Sequence, residues 1–155
     1  MELTETLRTE CIRRLNLPEA IIVTEETPIA EVLKSMQEAR RGCVLIEKHG
    51  KLHGLVSERD ILVKFIGDRM SGDLPVREIM STELKTLSPD DSVEKAIQVM
   101  SRGGYRHVPL VDAEGKILGM IAARNIVDFI TEHYPAEVYN LPPRPDQLMG
   151  SPEGA

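Results

Sequence analysis

Residues 51–60 of this chain read KLHGLVSERD, and residues 116–125 read KILGMIAARN. The two segments lie 65 residues apart and share lysine, glycine and arginine at their first, fourth and ninth positions. An apolar pair follows the glycine in both copies. An internal repeat of this kind marks a structural unit that the chain uses twice. The fold is therefore expected to consist of two similar halves.

The similarity extends upstream of both segments. Residues 29–36 match residues 93–100 at an offset of 64, and residues 44–47 match residues 109–112 at an offset of 65. This change of offset predicts one extra residue between the helix and the strand of the second copy, at Gly103-Gly104.

Each copy is predicted to run in the order strand, helix, strand, strand, helix. In copy one, four apolar side chains recur at the spacing of one helical face, at Ile29, Val32, Leu33 and Met36. Thr27 is the expected N-cap of this helix, with Pro28 in its first turn. The other expected elements of copy one are strands at 21–23, 43–47 and 52–57 and a helix at 58–66 that Gly67 ends. Copy two is expected to have a helix that starts at 88–91, strands at 107–112 and 116–122, and a helix at 124–133.

This order predicts an α/β (α+β) fold of two β-α-β-β-α repeats that pack about a pseudo-two-fold axis, because units of about 50 residues are small for independent folding. Residues 2–16 are predicted to form an amphipathic helix, and the five prolines after residue 134 exclude a long helix there. The expected division is 1–18 for the N-terminal helix, 19–68 for repeat one, 69–84 for a linker, 85–134 for repeat two and 135–155 for a proline-rich tail.

The composition argues against several classes of function. The net charge is −6 and the pI is about 5.3, so nucleic acid is not an expected partner. The N-terminus has no signal-peptide pattern and no apolar run reaches the length of a membrane helix, so the chain is expected in the cytoplasm with no membrane partner. Cys11 and Cys43 have no metal-ligand spacing, and Cys43 is expected to be a buried, unreactive thiol.

The segment from Gly54 to Asp60 carries the chemistry, because it lies where a strand ends and a helix begins. A helix N-terminus favours an anion such as phosphate, and the Ser57 hydroxyl adds to that site. Asp60 can accept hydrogen bonds from ribose hydroxyls, and Gly54 permits close approach of a ligand. The same Ser-x-x-Asp pattern is also typical of a helix cap that binds nothing.

The two copies resemble CBS repeats, and the pair resembles a Bateman module of the stand-alone bacterial type. In that family, a segment Gly-apolar-apolar-Ser/Thr-x-x-Asp/Asn closes each repeat and contacts an adenine nucleotide. The resemblance covers about residues 20–133 and implies that 80–82 and 85–86 are candidates for the second wall of the adenine site. It implies nucleotide-binding roles for Gly54, Leu55, Val56, Ser57, Arg59 and Asp60.

Copy two departs from the family pattern. Ala122 stands where Ser or Thr is expected, and Asn125 replaces Asp. A neutral amide holds a ribose less strongly than a carboxylate does, so the second cleft is expected to be the weaker one. Its implied residues are Arg41, Ile121, Ala122, Arg124 and Asn125.

Two basic residues precede the middle strand of copy two. In the gamma subunit of AMP-activated protein kinase, a basic pair at this place reaches across to phosphates that the first repeat holds. The resemblance therefore implies that Arg106 and His107 face the Asp60 cleft, with Arg106 as a planar phosphate-binding fork. The alternatives are an exposed strand-entry arginine and a structural histidine.

The resemblance thus implies a regulatory module that binds an adenine nucleotide, forms a homodimer and modulates a separate, unidentified protein. AMP or ADP is favoured over ATP, because Arg106 and His107 supply too little charge for three phosphates; S-adenosylmethionine stays open. No obligatory cofactor or metal is expected. No enzyme is expected either, since the chain has no HExxH, nucleophile-elbow or P-loop pattern. The alternative is a ligand-free dimerisation scaffold in which Ser57 and Asp60 only cap a helix.

Overall fold

The protein is described from a computed structural model that defines residues 2–134. The tail predicted at 135–155 lies outside the described residues. Within the described residues, no helix combines the length and apolar character required to cross a membrane.

The elements of the first half are α1 (Leu3–Thr9), a 3-10 turn (Ile12–Arg14), β1 (Ile22–Thr24), α2 (Ile29–Ala39), β2 (Cys43–Lys48), β3 (Lys51–Ser57) and α3 (Glu58–Asp60), which continues as a π-helix (Ile61–Ile66). The elements of the second half are a 3-10 turn (Val76–Glu78), α4 (Val93–Gly103), β4 (His107–Val111), β5 (Ile117–Ala122) and α5 (Ala123–His133). The predicted mixed architecture of two repeats is confirmed.

Each repeat contains a small sheet. In the first, β1 is parallel to β2, and β2 is antiparallel to β3. In the second, β4 and β5 are antiparallel, and the first strand shrinks to a single parallel bridge between Leu87 and Leu110. The expectation of a full first strand in both copies is thus corrected for copy two.

The register of the repeat differs from the one that the sequence match indicates. Cys43 pairs with Ser57, and His107 pairs with Ala122. The middle strands are therefore 64 residues apart, whereas the final strands are 65 apart. The extra residue of copy two lies in the hairpin turn at 112–116, and its expected place at Gly103-Gly104 is corrected.

Burial explains why the sequence match between β2 and β4 was wrong by one residue. Val44 and Val108 are equivalent and fully buried, and both lie in continuous apolar runs. Such runs carry no alternation that fixes a strand's register. The helix ends support the offset of 64, because Arg40 and Gly104 both adopt a left-handed C-cap conformation.

The segment before each repeat packs on the other repeat. Ile12 N–H donates to the Asp91 carbonyl at 2.9 Å, and Val76 N–H donates to the Thr27 carbonyl at 2.7 Å. The two donors, Ile12 and Val76, are 64 residues apart, so the two hydrogen bonds are equivalent in the repeat. The single helix expected over residues 2–16 is corrected: α1 ends at Thr9, because the chain then extends and Ile12 enters the core of the second repeat.

Two helix ends also differ from expectation. Pro28, not Thr27, occupies the N-cap of α2, and Thr27 instead contacts the Thr24 hydroxyl. Ser92 caps α4 by accepting a hydrogen bond from Lys95 N–H at 3.0 Å, so this helix starts later than residues 88–91. The helix of the first repeat ends at Ile66 with Gly67 at its C-cap, as expected, although Gly67 keeps helical dihedral angles.

Each repeat has its own core cluster, and a further cluster of buried apolar residues joins the two repeats. Cys43 and Leu45 of the first repeat pack with Ile117 and Met120 of the second. Cys43 is fully buried, as expected, and burial raises the pKa of its thiol to about 12, so the thiolate is scarce at neutral pH.

Candidate functional site

The junction between β3 and α3 forms the reciprocal helix cap. Ser57 N–H donates to Asp60 Oδ2 at 2.9 Å, and Asp60 N–H donates to Ser57 Oγ at 3.3 Å. Both donors at the start of the helix are thereby satisfied within the junction.

The second carboxylate oxygen of Asp60 is also engaged. Ser81 Oγ donates to Asp60 Oδ1 at 3.2 Å, and Lys64 Nζ lies 3.2 Å from the same oxygen. Asp60 is 9% exposed. A ribose hydroxyl that binds Asp60 would have to displace one of these partners.

Gly54 is needed for packing in this junction. A Cβ there would lie 2.8 Å from Met80 Sδ and 3.3 Å from the Ser81 carbonyl oxygen. Leu55 and Ser81 exchange backbone hydrogen bonds of 2.9 and 3.0 Å. Gly54 was expected to let a ligand approach, but residues 80–81 occupy the space beside it. These residues do lie beside Leu55, as expected.

The junction between β5 and α5 makes only half of this arrangement. Ala122 N–H donates to Asn125 Oδ1 at 2.7 Å, but alanine has no hydroxyl to cap the helix in return. Asn125 is partly buried, and its amide nitrogen has no hydrogen-bond partner within residues 2–134. This junction therefore keeps a polar group available.

A cavity of about 910 Å³ opens at the second junction and reaches the first repeat. The second repeat lines it with Arg106, His107, Met120, Ala122, Ala123, Arg124 and Asn125. The first repeat and the chain before it contribute Pro18, Glu19, Leu33, Met36, Gln37, Arg40, Arg41, Gly42, Glu58, Ile61 and Leu62.

Positive charge dominates the lining. It comprises the four arginines Arg40, Arg41, Arg106 and Arg124 against the two carboxylates Glu19 and Glu58. Arg41 donates to the Glu19 carbonyl oxygen at 3.4 Å, and Arg124 Nε lies 4.0 Å from Asp128 Oδ2. Within the described part of the chain, the side chains of Arg40 and Arg106 have no such partner. The cavity is therefore suited to an anion.

His107 lies at the boundary between the repeats. A Cβ on Gly42 would lie 2.8 Å from Glu58 Oε1 and 3.5 Å from His107 Cε1, so the three residues are close neighbours. Burial lowers the pKa of His107, and nearby Arg106 lowers it further, while Glu58 opposes the shift. His107 is therefore mainly neutral at pH 7.

The structure brings together a different set of the predicted residues than expected. Arg106 and His107 lie with Arg41, Ala122, Arg124 and Asn125, and Asp60 is absent from the lining of this cavity. The expected pairing of Arg106 and His107 with the Asp60 cleft is thus replaced by a pairing with the Asn125 cleft. The predicted residues outside the cavity lining are Gly54, Leu55, Val56, Ser57, Arg59, Asp60 and Ile121.

Val56 and Ile121 belong to the core, because both side chains are fully buried in it. Pro18, Glu19 and Arg40 also line the cavity, and none of them was predicted to be a site residue. The signal for Pro18 and Glu19 was the match between residues 12–15 and 76–79, which shows that the N-terminal segment is a repeated part of the fold.

The described residues contain no group of three or more histidine, cysteine or acidic side chains arranged to hold a metal ion. The fold and the cavity together define the class of protein, which is a paired α+β repeat with a cationic cavity between its halves.

The chain belongs to the CBS domain family. The sequence model of that family matches two segments in tandem, residues 12–67 and 76–132. The chain is 33% identical over 106 residues to the 17.7 kDa protein in the bps2 3′ region of Acidianus ambivalens, which covers 68% of this chain and 63% of the relative.

Two solved structures are similar. The CBS domain protein PAE2072 from Pyrobaculum aerophilum, complexed with AMP, superposes with a TM-score of 0.68 at 26% identity over 74% of this chain and 88% of that one. The CBS domain pair of protein MJ0100, in complex with 5-methylthioadenosine and S-adenosyl-L-methionine, gives a TM-score of 0.66 at 25% identity over 75% and 94%.

Proposed function

We propose that this chain is a regulatory CBS pair that binds a phosphate-bearing adenine nucleotide in the cavity at Asn125. The observation that carries the proposal is the cavity itself, in which a strand-to-helix junction meets four arginines from both repeats. The complexes of PAE2072 with AMP and of MJ0100 with two adenosyl compounds support the ligand class.

The residues divide between the parts of such a ligand. Met120 and Pro18 supply apolar surface for the base, and the Asn125 amide is the polar group for the ribose. Arg106 and Arg124 supply charge for phosphate, next to the backbone N–H groups of Arg124 and Asn125 at the start of α5, which is 11 residues long. The Ala123 N–H is already bonded to the Arg106 carbonyl oxygen. This assignment moves the preferred site from Asp60 to Asn125, because Asp60 is satisfied by its own neighbours.

The charge of the lining separates the candidate ligands. AMP and ADP carry phosphate and match the arginines, whereas the sulfonium and ammonium groups of S-adenosylmethionine add positive charge to a cationic cavity. The Asp60 junction is retained as a second candidate site, which requires Ser81 Oγ to move away from the carboxylate.

Regulation follows from the position of the cavity between the repeats. A ligand that contacts both halves stabilises one arrangement of them, which a partner protein can recognise. A homodimer is part of the proposal, because large apolar side chains stay exposed on the two terminal helices of the repeats. They are Leu62, Val63, Ile66 and Val127. Catalysis is not part of the proposal, and the cytoplasmic location stays a prediction.

The test is the melting temperature with millimolar AMP, ADP, ATP or S-adenosylmethionine. A ligand at about 100 times its Kd stabilises the fold by roughly 2.7 kcal/mol, a rise on the order of 5 °C. Arg106→Ala should abolish most of the rise. Arg102→Ala is the matched control, because Arg102 is exposed and lies outside the cavity lining and outside both junctions.

No rise with any of the four ligands, in protein shown to be free of bound nucleotide, would favour the ligand-free scaffold. One observation favours that second function: the Ser57–Asp60 cap is fully satisfied without a ligand.

A further inference from the structure

The C-cap of α2 is an arginine in a left-handed conformation. Arg40 has φ 54° and ψ 49°, a region in which a residue with a Cβ is strained. The equivalent residue of the second repeat is Gly104, with φ 70°, and glycine is the usual residue at this position. The first repeat thus keeps an arginine where glycine would be less strained.

Arg40 of the first repeat lines the same cavity as the Asn125 junction of the second repeat. Its side chain makes no hydrogen bond or ion pair with any residue in 2–134. Arg41 beside it is held by the carbonyl oxygens of Glu19 and Ala39. Arg40 and Arg106 are therefore the two cavity arginines whose guanidinium groups are unengaged, and they come from different repeats.

We propose that Arg40 is a specificity residue that binds the terminal phosphate of a nucleoside diphosphate or triphosphate. The inference rests on the proposed function, since it assumes that the nucleotide occupies the Asn125 cavity. The single phosphate of AMP is matched by Arg106 at the junction. Each further phosphate adds negative charge beyond that point, and a planar guanidinium is well suited to bind it.

The strain at Arg40 and its position are explained together by this role. Strained backbone conformations concentrate at functional sites, and a glycine at residue 40 would remove both the strain and the charge. A polyphosphate held by Arg40 and by the junction at Asn125 also joins the two repeats, which AMP does less completely.

The experiment compares dissociation constants of AMP, ADP and ATP, measured by titration calorimetry on the full chain. Arg40→Gly should weaken ADP and ATP binding about tenfold, the loss of one charge-assisted contact, and should change AMP binding less than about twofold. Its melting temperature should rise by a few degrees, on the order of 3 °C. Arg40→Asn should show the same loss of affinity, because asparagine tolerates the left-handed conformation without the charge.

Arg69→Gly is the control, because Arg69 is also exposed with a positive φ of 52° but does not line the cavity. It should raise the melting temperature and leave all three dissociation constants unchanged. An unchanged ratio of ADP to AMP affinity in Arg40→Gly would overturn the inference while leaving nucleotide binding intact. A wild-type chain that binds none of the three nucleotides would overturn the proposed function as well.

Discussion

The two strand-to-helix junctions have the same backbone plan and different chemistry. At the first junction, Ser57 and Asp60 form reciprocal hydrogen bonds, and the Asp60 carboxylate also contacts Ser81 and Lys64. At Ala122–Asn125, one hydrogen bond remains and a cavity opens. The junction with the better match to the family pattern is therefore the one whose polar groups are already hydrogen-bonded within the protein.

The partners of Asp60 explain the difference. The residue equivalent to Ser81 in the other half is Leu17, and the residue equivalent to Lys64 is Phe129, which is buried in the core. Neither side chain can donate a hydrogen bond to Asn125. The first junction is therefore closed by residues from the linker and the helix, whereas the second has no such closure.

The largest expected difference between the junctions is in stability. Asp60→Ala should lower the free energy of unfolding by about 3 kcal/mol, because it removes a cap, takes away the acceptor of the Ser81 hydroxyl and leaves Lys64 with only the Ile79 carbonyl oxygen. Asn125→Ala should cost about 1 kcal/mol, because it removes one capping hydrogen bond. Urea denaturation of both variants measures the two values, and equal losses would show that the junctions are energetically alike.

A smaller effect is expected when the second junction is given its missing hydroxyl. Ala122→Ser should raise the free energy of unfolding by about 1 kcal/mol, because the new oxygen can accept from Asn125 N–H and complete the cap. Ser57→Ala is the reverse change in the other repeat and should lower stability by a similar amount. Urea midpoints that do not move in opposite directions would contradict the assignment of both caps.

The smallest effect concerns His107 and its equivalent, Cys43. Burial lowers the pKa of His107, so the unfolded chain binds a proton more readily than the folded one. The contribution of His107 to stability is therefore fully present above about pH 6.5, the ordinary histidine pKa, and is lost as the pH decreases below it. Melting temperatures between pH 7.5 and 5.5 should drop less for His107→Gln than for the wild type.

Cys43 provides the contrast, because its thiol, with a pKa raised to about 12, is neutral throughout that pH range. Cys43→Ala should lower the melting temperature at every pH and leave the slope with pH unchanged. A wild-type slope that His107→Gln does not reduce would assign the pH dependence to other groups.

Much of the fold could be predicted from the sequence. The repeated segment at 51–60 and 116–125 identified two halves, and apolar spacing located α2, α4 and both hairpins, because local periodicity records which face of an element is buried. Arg106 was expected beside the Asp60 junction, and it lines the cavity at the Asn125 junction instead.

The errors arose where distant parts of the chain decide the structure. A run of apolar residues in β4 was compatible with two registers, and the pairing of His107 with Ala122 across β4 and β5 distinguished them. The exchange of Ile12 and Val76 between repeats has no local signal, since each 3-10 turn is stabilised by backbone hydrogen bonds to the opposite half.

The sequence by itself determined that this chain is a tandem α+β repeat, with a strand-to-helix junction in each copy and basic residues near the second. Tertiary structure alone decided that Ser81 and Lys64 close the Asp60 junction and that Arg40 joins Arg106 in the cavity at Asn125. The physical reason is that secondary structure depends on neighbouring residues, whereas a site depends on which side chains of separate elements meet and on the hydrogen bonds that they have already made.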